Sequence, residues 1–175
     1  SAMPGMVLPI SEGGIGFDYR LSMGVPDYWI KQFKEKSDEE LDLMQLWWEL
    51  TTRRPGEKNI GYVESHDQAL VGDKTLMMWL ANEAIYDAMD IHSASMVVDR
   101  AVALHKIVRL ITFSLAGEGY LNFMGNEFAQ LREWDEKREQ DWDILKYPNH
   151  DDFHRFMRKL NHIYLKHPAL SVWDF

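Results

Sequence analysis

Apolar residues at Val98, Ala101, Val102, His105, Val108, Leu110, Ile111 and Leu115 recur three and four positions apart, which predicts a helix over 98–115 with one broad buried face. Arg100, Lys106 and Arg109 are left for its solvent side, and the apolar face is expected to pack on a sheet. The same period in Phe153, Phe156, Leu160, Ile163 and Tyr164 predicts a last helix over 152–166 that stops before Pro168. Pro26 suits a first helical turn, and Ile30 and Phe33 carry that helix to about Lys36. Ser37 and Glu40 have capping-box spacing and open a second helix through Leu43, Leu46, Trp47 and Leu50. Residues 74–79, extending toward 89, read as a further helical stretch.

Between these helices lie short apolar runs bounded by turn residues. Residues 59–63 follow Arg54-Pro55-Gly56-Glu57 and read as a buried strand. Residues 15–20 read as a strand ended by Ser22-Met23-Gly24, and Gly117-Glu118-Gly119 launches a third over 120–124. Strand and helix alternate without repeats, low-complexity tracts or an evident domain boundary, so the predicted class is α/β with a parallel sheet.

Polar residues crowd the carboxyl end of the middle strand, the end where parallel α/β sheets build their sites. His66 and Asp67 come just after 59–63, past Glu64 and Ser65. Taken alone, such a pair more often is an Asp capping the next turn beside a His satisfied by backbone. Neighbouring residues on a strand face opposite ways, so both can serve one ligand only where the strand has become loop. Arg20 and Tyr19 end the first strand, where Arg20 either reaches the same rim or pairs with Asp18 or Asp27. Glu127 has a similar position after the third strand, and Gln68, Asp73 and Lys74 occupy the loop after Asp67. His150, His154 and His162 with Asp151 and Asp152 suggest a metal at first sight, but acids at a helix start make a solvated N-terminus the better reading, and no metal or other cofactor is expected.

Charge and composition narrow the ligand. There is no cysteine, so disulfides and thiolate metal sites are excluded, which fits a cytoplasmic location. No apolar run approaches the ~18 residues of a membrane span. The formal net charge of −9 argues against nucleic acid as a partner, and a neutral polysaccharide fits better. Aromatics make up 13% of the chain, with seven Trp. Trp47, Trp48 and Trp79 lie in helically spaced segments and are expected in the core. Trp134 and Trp142 lie in a polar stretch after the last strand, where contact with a sugar face and rim packing are both open.

The run Glu64-Ser65-His66-Asp67-Gln68-Ala69-Leu70-Val71-Gly72-Asp73-Lys74 resembles the fourth sequence region of the α-amylase superfamily, and its wording is similar to that of the 1,4-α-glucan (glycogen) branching enzymes. Gly14-Ile15-Gly16-Phe17-Asp18-Tyr19-Arg20-Leu21 with Pro26-Asp27-Tyr28-Trp29-Ile30 resembles the preceding strand and helix start of that family, and Met124-Gly125-Asn126-Glu127-Phe128 the following strand end. The resemblance implies a partial TIM (β/α)8 barrel, about its last three strand-helix units. A whole barrel needs ~250 residues, so residues 1–175 are expected to be the C-terminal part of a catalytic barrel. Ser1-Ala2 has no counterpart and reads as a cloning scar.

By the same resemblance, Asp67 matches the family's third catalytic carboxylate, which stabilises the transition state, and His66 the substrate-binding His beside it. Arg20, Glu127 and Trp134 are the further candidates for substrate contact. The family's nucleophilic Asp and acid/base Glu belong to earlier regions, and neither motif occurs here, so the piece alone is expected to be inactive. The implied parent enzyme cuts an α-1,4 glucan and rejoins it through an α-1,6 link. A related hydrolase or glucanotransferase, or a non-catalytic carbohydrate-binding fragment, is the alternative. Strands cut from a closed barrel expose edges and an apolar face, so self-association is expected.

Overall fold

The computed structural model describes residues 3–68, 74–89, 95–115, 117–132 and 135–172. Three parallel strands, β1 (Arg20–Leu21), β2 (Asn59–Tyr62) and β3 (Gly119–Leu121), form a sheet in the order β1-β2-β3. Arg20 lies opposite Asn59, and Ile60 opposite Gly119. Parallel neighbours require long crossovers, and helices fill both. Helices α1 (Gly24–Glu35) and α2 (Leu43–Thr51) connect β1 to β2, while α3 (Leu76–Ala81), α4 (Ala84–Asp87) and α5 (Met96–Leu115) connect β2 to β3. The last helix, α6 (Pro148–Lys166), follows β3 and docks on α5.

The long helix α5 organises the core. It packs on β2, and α3 and α6 pack against it. Val98, Ala101, Val108 and Phe113 meet Val63, Leu76, Leu80, Trp29, Phe153 and Leu160 in one buried cluster. The Trp29 indole N–H donates to the Thr112 hydroxyl at 2.8 Å, which ties α1 to α5 across the interior. Phe153 stacks on His105 with ring centroids 4.9 Å apart, which fixes α6. At Gly117, φ is +154° and a Cβ would lie 2.3 Å from the Asn59 carbonyl oxygen, so only glycine admits this approach of the chain to β2. Among the described residues no helix is long and apolar enough to cross a membrane.

Several boundaries differ from the sequence expectation. The first strand is two residues long because residues 5–17 spend their peptide groups locally: the Ile15 N–H donates to the Gly5 carbonyl and the Phe17 N–H to the Met6 carbonyl. The Ser37/Glu40 capping box forms, but it closes only the single 3-10 turn Asp38–Glu40. The helix after it is capped instead by Asp42, whose carboxylate accepts from the Met44 and Gln45 amides. The last helix starts at Pro148, four residues before the predicted 152. Trp47 and Trp48 are 51% and 60% exposed, against the core position expected for them. Only Leu46 and Leu50, one turn apart, face inward from α2, and the two indoles project away from that line.

Candidate active site

The strand β2 ends at Tyr62, and the backbone begins to coil at His66, so His66 and Asp67 are freed from the opposite-facing geometry of a strand. Their side chains meet: His66 Nε2 lies 3.2 Å from Asp67 Oδ1, with both about half exposed. Ser65 and Gln68 shape the turn beneath them. The Ser65 amide and hydroxyl both donate to Gln68 Oε1, at 2.8 and 3.1 Å, and the hydroxyl oxygen accepts from the Asp67 amide at 3.2 Å. The His66 ring lies 6.1 Å from Phe123, just past β3, so the ends of two strands meet there.

Asp67 borders an open cleft of about 500 Å³ shared with Tyr62, Gln68 and, from α1, Asp27, Ile30, Lys31 and Lys34. Burial, and then the negative charges of Asp67 and Asp27, push the Tyr62 hydroxyl up to about 12. At ordinary pH Tyr62 therefore keeps its proton and can donate it to an oxygen in the cleft. A half-exposed carboxylate paired with an imidazole can accept from hydroxyls and place negative charge beside a developing cation.

Behind this pair lies a buried polar network that the sequence did not point to. Arg109, expected on the solvent side of α5, is fully buried. Its guanidinium donates to Glu64 Oε1, to the Tyr120 hydroxyl at 3.0 Å, to Asn122 Oδ1 at 3.4 Å and to His105 Nε2 at 3.1 Å. A buried charge persists only when so matched, and five donors in a planar fork suit the task. Burial would raise the Glu64 carboxyl, but the charge of Arg109, helped by the hydrogen bond from the Leu76 amide, outweighs it and holds it below the usual carboxylate range. Burial first, and then the charge of Arg109, push His105 down, so its imidazole is neutral. His105 Nε2 also lies 3.4 Å from Glu64 Oε1, yet one nitrogen cannot both accept and donate. The shorter contact to Arg109 and the neutral ring assign Nε2 as the acceptor.

Glu127 joins the same network. Asn122 Nδ2 donates to Glu127 Oε2 at 2.9 Å, so the structure links Glu127 to Arg109 through one amide. Arg20 lies elsewhere. Its guanidinium meets Glu57 at 2.8 Å and Asn59 at 3.0 Å, at the start of β2, and it lines a different cleft from Asp67. Trp134 and the loop residue Asp73 lie outside the described residues. Trp142 is 46% exposed and leans on Phe128 at 4.8 Å. His150, expected at a solvated helix start, is buried against the Phe128 carbonyl at 2.8 Å, and burial pushes its pKa down. Among the described residues no group of three His, Asp or Glu side chains could hold a metal ion.

No family model matches the chain. It is 51% identical over 178 residues to a 1,4-alpha-glucan-branching enzyme of Rhizophagus irregularis, a match covering 99% of this chain and 25% of that protein. The enzyme of the same name from Saccharomyces cerevisiae is 53% identical over 148 residues, covering 84% of the chain and 21% of the relative. That of Felis catus is 47% identical over 176 residues, covering 91% and 25%. The chain thus spans about a quarter or less of the length of the curated relatives it matches. With about half its residues identical to theirs, the chain belongs to the family of 1,4-alpha-glucan-branching enzymes, as the counterpart of one segment of those proteins.

Proposed function

We propose that the chain is the C-terminal part of the catalytic (β/α)8 barrel of a 1,4-α-glucan branching enzyme, which transfers a cut α-1,4 chain to an α-1,6 position through a covalent glycosyl-enzyme. The observation that carries this reading is the His66-Asp67 pair, set at the carboxyl end of β2 in a chain half identical to enzymes of that name. In this reading the three parallel strands are neighbours in the barrel. Asp67 is the carboxylate that stabilises the oxocarbenium-like transition state, and His66 holds a sugar hydroxyl. Glu127, joined to the network behind the pair, and Trp134 are the further candidates for glucan contact in this reading.

The test uses the full-length protein that carries this chain. Replacing Asp67 by Asn keeps the shape and removes the charge, so the branching rate should fall by ~10²-fold or more while glucan affinity changes little. Branching is read by the iodine absorbance of amylose, and hydrolysis by reducing-end release. An Asn variant that keeps most of its activity would reduce Asp67 to a structural cap. The 175-residue chain by itself should show no turnover, because covalent catalysis needs nucleophile and acid/base together. Hydrolysis without branching in the full-length protein would transfer the reading to a related hydrolase.

A further inference from the structure

We propose that Glu64 is a positioning residue of this site: its carboxylate pins both ends of the segment that carries His66 and Asp67, with Arg109 as the counter-charge that holds it there. This rests on the functional reading above, in that the pair being positioned is the one assigned to catalysis.

Three observations carry it. Glu64 stands two residues past the end of β2 and two before His66, and is almost wholly buried. Its Oε2 accepts from the Leu76 amide at 2.7 Å, twelve residues onward, where α3 begins. Thr75 stands at the cap position of α3 but makes no side-chain capping bond, so Glu64 satisfies the first amide of the helix from a distance. The other oxygen, Oε1, is held by Arg109, which also grips Tyr120 of β3 and Asn122 just beyond it. One carboxylate thus joins the end of β2, the start of α3 and, through the guanidinium, the end of β3. The exit and re-entry points of the segment cannot move independently.

An ordinary buried ion pair has no need of the Leu76 contact, and that contact separates positioning from mere stability. The experiment compares two double variants in the full-length protein. Glu64→Leu with Arg109→Met removes both charges and the acceptor for the Leu76 amide, whereas Glu64→Gln with Arg109→Met removes the charges and keeps an acceptor. Neither leaves a lone buried charge, so both remain foldable. The Leu/Met protein is expected to lose about 100-fold in kcat with KM within about twofold, since misplacement of ~1 Å costs on that order. The Gln/Met protein is expected to recover at least about tenfold of the loss. A folded Leu/Met protein with kcat within about threefold of the parent overturns the proposal, and so does equal loss in both variants.

Hydrogen exchange in the full-length protein reads the same idea without activity. The Leu76 and Asp67 amides should exchange at least about tenfold faster in the Leu/Met variant than in the Gln/Met variant, with the Val108 amide of α5 unchanged. Equal rates overturn the proposal. If the unaltered full-length protein does not branch amylose, the functional reading fails, and the exchange comparison alone decides whether Glu64 positions the turn.

Discussion

Replacing Arg109 by Met should destabilise the fold severely and make its stability depend on pH in a new direction. Arg109 and Glu64 are 0% and 1% exposed, so removing the guanidinium leaves a buried carboxylate with the Leu76 amide and a neutral imidazole for company. Breaking a buried pair on one side costs about 3–5 kcal/mol. For a chain of this length each kcal/mol shifts Tm by about 2–4 °C, so a fall of about 6–20 °C is expected. Taking the Glu64 charge away as well, by Glu64→Gln with Arg109→Met, should recover most of the loss.

The pH dependence follows from linkage. With Arg109 present, the folded pKa of Glu64 lies below its unfolded value, so the stabilisation is present above the ordinary carboxylate range and lost as pH falls through the depressed value. Without Arg109, burial dominates and raises the folded pKa. The penalty is then full at pH 7 and shrinks as pH falls toward the unfolded carboxylate value, so the gap between variant and parent should narrow by pH 5. Urea unfolding followed by circular dichroism at both pH values gives the four numbers needed. A single-variant cost under about 1 kcal/mol, or a double variant no more stable than the single, would refute the reasoning.

Replacing Trp29 by Phe leaves the Thr112 hydroxyl without its indole donor and should cost about 1–3 kcal/mol, read as a shift in urea midpoint with an unchanged slope. Gly117→Ala drives a Cβ into the Asn59 carbonyl and holds alanine at positive φ, so a loss of at least about 2 kcal/mol is expected in the same assay. The 175-residue chain should self-associate: among the described residues β1 and β3 each pair on one side only, and Leu43, Met44, Trp47 and Trp48 are exposed on α2. A single monomer of 20.6 kDa in sedimentation at micromolar concentration, with cooperative melting, would show that the piece closes its own core.

Hydrophobic period located the long helices, because an apolar face three or four residues wide is written directly in residues such as Val98, Ala101, Val108 and Leu160. What it could not separate was burial by packing from burial by polar matching. Val98, Ala101, His105, Arg109 and Thr112 all follow one stripe of α5 and are all buried, yet a charge at position 109 reads as solvent-facing when its partner Glu64 is 45 residues away in the chain. The stripe itself was the available signal: a residue four after His105 and three before Thr112 belongs to the inner face whatever its charge. The opposite error at Trp47 and Trp48 has the same root, since two large apolar residues in a nine-residue helix say nothing of how many neighbours that helix has to pack on. His66 and Asp67 were legible because position after a strand is a local property. Their support was not, because Glu64, Leu76, Arg109 and Asn122 come from four separate stretches of the chain.

That division also explains why the candidate site sits where it does. Among the described residues β2 is the central strand, paired on both sides, and α5 packs directly on it. A strand held on both edges and one face opens less readily than its neighbours. Carrying the His66-Asp67 turn off that strand therefore places two half-exposed polar side chains on the most restrained backbone in the sheet, and the Glu64 tether extends the restraint past the strand's last hydrogen bond. Reactive groups need both properties at once: access to a ligand from outside, and little freedom to depart from the geometry the ligand requires. An edge strand gives the first without the second. Arg20, on β1, is secured by Glu57 and Asn59 at the strand's opposite end, a guanidinium used to hold the sheet's edge in register.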